Sequence, residues 1–149
     1  MIEDLSVSQV EKSALVPFSV EQMYALVNDV EAYPEYIDGC SGSKIIESSE
    51  SKMIASLNIE KAGFSSSFTT ENTLKLNEEI NMRLLDGPFE YLLGIWRFKR
   101  LEQNACRVTF SLDFKFKNRL MGMAFSKAFE TITANMMQAF IEQAKKQYG

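Results

Sequence analysis

Side chains able to do chemistry are few in this sequence, and they do not form a recognisable catalytic set. The 149 residues contain no histidine, which excludes the usual Ser-His-Asp and Cys-His nucleophilic systems and histidine-containing zinc sites. Cys40 and Cys106 are too few for an all-thiolate zinc site. The glycines are scattered, so no phosphate-binding loop is recognisable. The sequence therefore predicts a binding protein rather than an enzyme, with no metal site.

The polar side chains best placed to bind a ligand lie in a predicted strand between residues 64 and 74. Ser66, Thr70 and Asn72 alternate in step with Phe68, so all four share one face of that strand. Inside a cavity this face could supply hydrogen-bond donors to a ligand. The same pattern also fits an edge strand with one solvated face, and the spacing leaves both interpretations open.

Rows of Phe and Met on neighbouring predicted elements are the second candidate feature. Apolar and polar residues alternate from Cys106 to Phe116, and apolar residues recur at helical spacing from Met121 to Phe140. Two such faces form either an ordinary core or an apolar cavity, whose wall methionine would make adaptable. The predicted cavity wall consists of Phe68, Met82, Leu84, Trp96, Phe98, Phe110, Phe114, Phe125, Phe129, Ile132 and Met136.

The elements that must position these residues can be predicted from periodicity and capping signals. A strand over Gln9–Val16 precedes a capping box at Ser19–Gln22, which begins a helix from about Val20 to Val30. Tyr33-Pro34 begins a second, short helix. From residue 43 to residue 117 the pattern is that of six further strands with short connections, which favours antiparallel hairpins.

A long helix completes the chain and fixes the fold class. It is predicted to begin near Asn118, a good N-cap, and to end at about Gln147, a length of about 45 Å. Its apolar face must lie on the sheet. We therefore predict one α+β domain over residues 1–149 with a helix-grip arrangement. A curved antiparallel sheet of about seven strands wraps around the long C-terminal helix, with two short helices after strand 1.

Charge is distributed unevenly along the chain. The net charge is −4, but residues 115–149 carry six basic and two acidic side chains. The simplest interpretation is a solvated helix face, and the alternative is a contact surface for RNA or anionic lipid. The residues that would form this contact surface are Lys115, Lys117, Arg119, Lys127, Lys145 and Lys146.

Targeting signals and cysteine usage bear on location. No apolar run approaches the ~20 residues that a transmembrane helix needs, and Met1–Gln9 does not resemble a secretory signal. We therefore expect a cytoplasmic protein, with peripheral association at the inner membrane as a further option. Cys40 and Cys106 are expected to be free, buried thiols in a reducing compartment.

Several short segments, in order along the chain, resemble one known family. They include Leu15-Val16-Pro17-Phe18-Ser19, Tyr33-Pro34, Gly39-Cys40, Asp86-Gly87-Pro88-Phe89 and Trp96-Arg97-Phe98. The chain resembles the polyketide cyclase / coenzyme Q-binding family of the START-like, or Bet v 1-like, superfamily. Within it, the chain looks most similar to bacterial ribosome-association toxins. The quinone-binding branch has Pro-Trp where this chain has Asp38-Gly39.

The resemblance implies a helix-grip fold and three functions. The first is non-enzymatic binding of ubiquinone or another isoprenoid lipid, linked to respiration, with no required cofactor. The second is a toxin that binds the large ribosomal subunit and blocks subunit association and translation initiation, with a small antitoxin protein as a further partner and no role for DNA. The third is a polyketide cyclase or dehydratase, which needs a buried carboxylate or tyrosine in the cavity. In such a fold Tyr33, Pro34, Tyr36 and Phe89 are predicted to flank the cavity mouth.

Overall fold

The computed structural model describes residues 7–149, which form three α-helices and seven strands. A short 3₁₀ turn at Val30–Ala32 links the first two helices. The helices are α1 (Val20–Asn28), α2 (Tyr33–Tyr36) and α3 (Arg119–Tyr148). The strands are β1 (Val7–Val16), β2 (Cys40–Ser48), β3 (Lys52–Lys61), β4 (Phe64–Lys75), β5 (Glu79–Asp86), β6 (Phe89–Glu102) and β7 (Ala105–Phe116).

The seven strands form one antiparallel sheet in the order β1-β7-β6-β5-β4-β3-β2. The hairpins from β2 to β7 follow chain order, and β1 pairs with β7 at one edge. β2 forms the other edge, and its pairing with β3 is interrupted by two register shifts. Because β4 lies between β3 and β5, the interpretation of its polar residues as part of an edge strand is wrong.

Side-chain caps begin the two longer helices at the predicted positions. The Ser19 hydroxyl accepts a hydrogen bond from the Gln22 backbone N–H at 3.1 Å, and the Gln22 side chain accepts one from the Ser19 N–H at 3.0 Å. α1 ends at Asn28, two residues earlier than predicted, because Asp29 has a non-helical ψ of 69°. The Asn118 side chain caps α3 by accepting bonds from the N–H groups of Leu120 and Met121.

α3 packs against the face of the sheet that carries the buried residues and also contacts β1, β7 and α1. At its C-terminal end, the Tyr148 ring lies 6.2 Å from that of Phe18. Near its middle, the Phe129 ring packs among those of Phe64, Phe68, Phe89, Phe114 and Phe116, with centroids 4.8–6.3 Å away. This arrangement confirms the predicted helix-grip fold with seven strands.

Among residues 7–149, no helix has the length and hydropathy needed to cross a bilayer. α3 is long enough, but charged and polar residues interrupt its apolar face.

Candidate functional site

A small, almost entirely apolar cavity lies between the middle of α3 and the inner face of the sheet. Its volume is about 50 Å³. Strands β3 to β7 supply most of the wall, and α3 closes it from the other side. The residues that line it are Val30, Tyr33, Ala55, Leu57, Phe68, Thr70, Asn72, Met82, Leu92, Trp96, Phe110, Leu112, Phe129, Thr133 and Met136.

Six of the eleven predicted wall residues line this cavity, and Trp96 is among the most deeply buried of them. Its ring stacks on that of Phe110 at 4.2 Å, and it is 1% exposed. Because Trp96 is the single tryptophan of the chain, its fluorescence reports on the cavity. The six residues are Phe68, Met82, Trp96, Phe110, Phe129 and Met136.

The other five predicted wall residues face the core, as expected, but they do not line the cavity. The Phe98 ring lies against that of Tyr24, with centroids 5.5 Å apart. Phe114 fills the space beside Phe129 at 4.8 Å, and the half-buried Phe125 contacts Phe64 at 5.3 Å.

Ile132 and Leu84 complete this group. Ile132 packs so closely on Gly39 that a Cβ atom at Gly39 would lie 2.9 Å from the Ile132 Cγ1 atom. Leu84 is half-buried near the end of β5, away from the cavity wall. The five residues therefore extend the core at either end of the cavity.

Sequence reasoning missed six lining residues because most of them are small or unremarkable in type. Ala55 and Leu57 alternate with polar residues along β3, a signal that was present but less prominent than the aromatic rows. Thr133 follows Phe129 by one helical turn, and its hydroxyl donates to the Phe129 carbonyl at 3.0 Å. The missed residues are Val30, Ala55, Leu57, Leu92, Leu112 and Thr133.

Two of the three predicted polar anchors face the cavity. Thr70 and Asn72 are 6% and 4% exposed, and the Thr70 hydroxyl donates to the Asn72 side-chain oxygen at 2.8 Å. The Asn72 amide N–H groups donate to no described residue. Ser66 is half-buried at the far end of β4 and does not line the cavity. The cavity therefore holds one polar pair with unused donor capacity.

Of the four residues predicted at the mouth, only Tyr33 lines the cavity. Pro34 is exposed, and Tyr36 is half-buried with its ring 6.0 Å from that of Phe140. Phe89 is 1% exposed and lies within the Phe129 cluster. We predicted Phe89 at the cavity mouth, as a plug over the cavity or an exposed contact, but the turn directs its ring into the core.

Tyr33 is the one ionisable residue among those lining the cavity. Its hydroxyl donates to the Val27 carbonyl oxygen. Burial raises the pKa of this phenol well above its usual range, so it stays protonated at neutral pH. No carboxylate lines the cavity, and the described residues contain no cluster of acidic or thiol side chains that could hold a metal ion.

The cysteines are free and buried, as predicted. Burial raises the pKa of the Cys106 thiol to about 11, and it also raises the pKa of Cys40. Since the thiolate is the reactive form, neither side chain is prepared for nucleophilic chemistry. Cys106 is 0% exposed and packs as a small apolar residue.

The predicted basic contact residues do not form one patch. Lys127 and Lys145 lie 18 residues apart on α3, which is about 27 Å along the helix axis. Lys145 also pairs with Glu142 at 3.2 Å, and Lys115 pairs with Glu90 at 3.2 Å. Lys117 is exposed at the start of α3, and Lys146 is exposed at its end.

A second basic group lies on the outer face of the sheet and centres on a cross-strand pair. Lys99 of β6 stands directly opposite Arg107 of β7, and both are exposed. Neither forms an ion pair with a described residue, whereas the nearby Arg97 pairs with Glu79 at 3.4 Å. Opposed like charges destabilise a sheet. This pair is here called the outer basic pair.

The family profile described as polyketide cyclase / dehydrase and lipid transport matches residues 16–141. The chain belongs to this family. The match begins at Val16, the last residue of β1, and includes every residue that lines the cavity and most of α3.

Individual members of the family have different names and associations. The ribosome association toxin RatA of Escherichia coli K12 is 48% identical to this chain over 149 residues, which covers all of the chain and 94% of RatA. The mitochondrial coenzyme Q-binding protein COQ10 homolog B of Xenopus laevis is 28% identical over 93% of the chain and 58% of that protein. The crystal structure of the ZhuI aromatase/cyclase from Streptomyces sp. R1128 superposes with a TM-score of 0.84 at 17% identity and 96% coverage of both chains. At this identity the superposition shows the fold alone.

Proposed function

We propose that this chain binds a small hydrophobic molecule with a carbonyl group, of the quinone type, in the cavity between α3 and the sheet. The observation that supports this most directly is the buried Thr70–Asn72 pair in an otherwise apolar wall. The Asn72 amide has N–H donors that no described residue uses, and a ligand carbonyl can accept a hydrogen bond from them. The similarity to a coenzyme Q-binding protein supports the same ligand class.

The size of the cavity determines how such a ligand must enter. A volume of about 50 Å³ is well below the roughly 300–1,000 Å³ of typical ligand pockets. The closed form therefore cannot enclose a quinone with an isoprenoid tail. Met82 and Met136 lie in the wall and are both partly exposed. Their flexible side chains can change rotamer to widen the cavity as the ligand enters.

The fluorescence of Trp96 offers a direct test of this proposal. Titration with a short-chain ubiquinone analogue is expected to quench Trp96 in a saturable manner, because quinones quench indole fluorescence on contact. An isoprenoid alcohol of matched length, which has no quinone ring, serves as the ligand control. Quenching that rises linearly, as it does for free tryptophan amide, would contradict binding in the cavity.

Substitutions at the polar pair identify the anchor. Asn72→Leu is expected to weaken quinone binding by about tenfold, the upper range for one neutral hydrogen bond. Ser66→Ala is the matched control, since Ser66 lies on the same strand but does not line the cavity. Gly94→Ala should also weaken binding, because its Cβ would lie 2.6 Å from the Met82 Cε atom and push Met82 into the cavity. Equal affinities for Asn72→Leu and Ser66→Ala would remove Asn72 as the anchor.

We also propose that the chain associates with the large ribosomal subunit through the outer basic pair, Lys99 and Arg107. Two observations support this second function. The chain is 48% identical over its full length to a protein named a ribosome association toxin. The outer basic pair also places two cations opposite each other with no described carboxylate to neutralise them. Phosphate groups of RNA would relieve that repulsion.

Sedimentation with purified large subunits tests the ribosomal proposal. Lys99→Glu/Arg107→Glu is expected to weaken binding by at least about tenfold and to lower the salt-dependence slope by about one unit per cation lost. Lys145→Glu/Lys146→Glu makes the same charge change at the end of α3 and should have a smaller effect. The outer basic pair is excluded as the contact if both variants sediment like the unmodified chain.

A cyclase or dehydratase activity has less support from the cavity. Tyr33 is the one acid or base in the wall, and its pKa is raised by burial. A general base at neutral pH needs a pKa near 7. The cavity therefore fits binding better than proton transfer.

A further inference from the structure

The outward face of the first turns of α3 exposes two large apolar side chains. Leu120 is 76% exposed, the largest value for a large apolar residue in the part of the chain that the structure describes, and Met123 is 60% exposed. They are three residues apart and therefore neighbours on the helix surface. The face that packs on the sheet carries Gly122, Ser126 and Phe129 instead. α3 thus has a second apolar stripe, on its solvent side.

Basic side chains predominate around this stripe, although Glu130 lies on α3 and Asp86 and Glu90 flank the turn between β5 and β6. Between residues 114 and 129 the chain has four basic side chains and no acidic one, although its net charge is −4. Lys117 and Arg119 are exposed and form no ion pair with a described residue. Lys127 is 85% exposed and lies 3.9 Å from Glu130, at the limit of an ion pair. Three exposed cations therefore surround two exposed apolar side chains.

The turn between β5 and β6 lies beside the start of α3. The Lys117 N–H donates to the Pro88 carbonyl at 2.9 Å, which holds this turn against the start of α3. Leu85, which shortly precedes the turn, is 44% exposed. Leu85 is thus a third exposed apolar residue in a segment next to the start of α3; the other exposed large apolar residues of the described part lie elsewhere, at Leu15, Ile46, Leu76, Leu93 and Leu101.

We propose that this face, formed by Lys117, Arg119, Leu120, Met123 and Lys127, docks on an anionic phospholipid membrane. A helix that lies in the membrane interface combines apolar side chains, which enter the acyl boundary, with Lys and Arg beside them, which contact anionic headgroups. An RNA surface would attract the cations but would give no gain from burying Leu120 and Met123. The combination of charge and apolar exposure therefore favours lipid.

This face lies a short distance from the cavity along α3. Phe129, in the cavity wall, lies six residues after Met123 on the same helix, or about 9 Å along its axis. Docking would therefore bring the cavity close to the bilayer surface. A hydrophobic molecule dissolved in the membrane would have a short path to the cavity. The docking itself does not depend on what the cavity binds.

Co-sedimentation of the full chain with lipid vesicles tests the proposal. Vesicles of phosphatidylcholine with phosphatidylglycerol are expected to sediment the protein, and vesicles of phosphatidylcholine alone are expected to sediment it far less. Salt should weaken the binding because it screens the headgroup charge. Leu120→Ser/Met123→Ser is expected to lower the partition coefficient by about tenfold, since two apolar side chains no longer enter the interface.

The control variant is Leu76→Ser. Leu76 is 71% exposed and lies beside Val20 and Phe98, near the end of the molecule where α3 finishes. The Leu76→Ser variant should bind vesicles like the unmodified chain. Lys117→Glu/Arg119→Glu should remove the preference for phosphatidylglycerol. Trp96 fluorescence checks that each variant is folded.

Two results would overturn the proposal. One is sedimentation that is the same for Leu120→Ser/Met123→Ser and Leu76→Ser. The other is absence of vesicle binding together with loss of ribosome sedimentation in Lys117→Glu/Arg119→Glu, which would assign the face to RNA. Quenching of Trp96 by quinone is measured separately, in buffer without vesicles. Failure of membrane docking can therefore be distinguished from failure of cavity binding.

Discussion

Replacement of Phe129 by alanine is expected to lower the free energy of unfolding by about 3–5 kcal/mol. The Phe129 ring is 1% exposed and contacts five other phenylalanine rings from β4, β6 and β7. The substitution removes these contacts and leaves a cavity that the sheet cannot close. Urea denaturation followed by far-ultraviolet circular dichroism measures the change.

Phe125→Ala is the matched control for that prediction. Phe125 is one turn earlier on α3 and half-buried, and it contacts Phe64. The same chemical change at this position should cost less than half as much. Equal losses at the two positions would mean that α3 does not grip the sheet through Phe129. Because Phe129 also lines the cavity, Phe129→Ala enlarges it and should admit a larger quinone analogue.

Gly39→Ala should lower the free energy of unfolding by about 2–4 kcal/mol, the second largest effect that we expect. Gly39 has a φ of +95°, a conformation that alanine adopts only with strain, and the new Cβ would lie 2.9 Å from the Ile132 Cγ1 atom. Strain and steric overlap therefore add. The melting temperature and the urea midpoint both report the loss.

Gly63→Ala separates these two contributions. Gly63 has a φ of +83°, but no atom lies within 4 Å of its Cβ position. It should show only the cost of strain, about 1–2 kcal/mol. If Gly39→Ala destabilises no more than Gly63→Ala, Ile132 can move aside at no cost, and the close packing of α3 on Gly39 contributes little to stability.

The fold followed from the sequence because its signals are local and repeated. The Ser19–Gln22 capping box, the Asn118 cap and the alternation along β7 each depend on residues within a few positions. The pairing of successive strands from β2 to β7 followed as well, since short connections favour antiparallel neighbours, but the pairing of β1 with β7 crosses the whole chain and was not predicted. The polar residues of β4 were ambiguous until their strand had a place in the sheet.

The residues that line the cavity were harder to predict. Alternation of apolar and polar residues shows which face of a strand a residue lies on, but it does not show where along that strand the cavity lies. Phe110 and Phe114 share one face of β7, yet Phe110 lines the cavity and Phe114 packs on Phe129. Where the cavity ends depends on how far α3 approaches the sheet at each level, and this is a tertiary property. Phe89 shows the same limit, since a residue after a turn can face either way.

The free edge formed by β2 has a consequence for the behaviour of the protein at high concentration. An unpaired strand edge offers backbone N–H and C=O groups to another molecule and invites intermolecular strand pairing. In β2 the register shifts between Cys40 and Gly42 and between Ile45 and Glu47 bend this edge, and Lys44 adds charge to it. A strand edge that is irregular and charged pairs poorly with a strand of another molecule. Aggregation through strand addition is thereby discouraged, although the chain exposes apolar residues elsewhere on its surface.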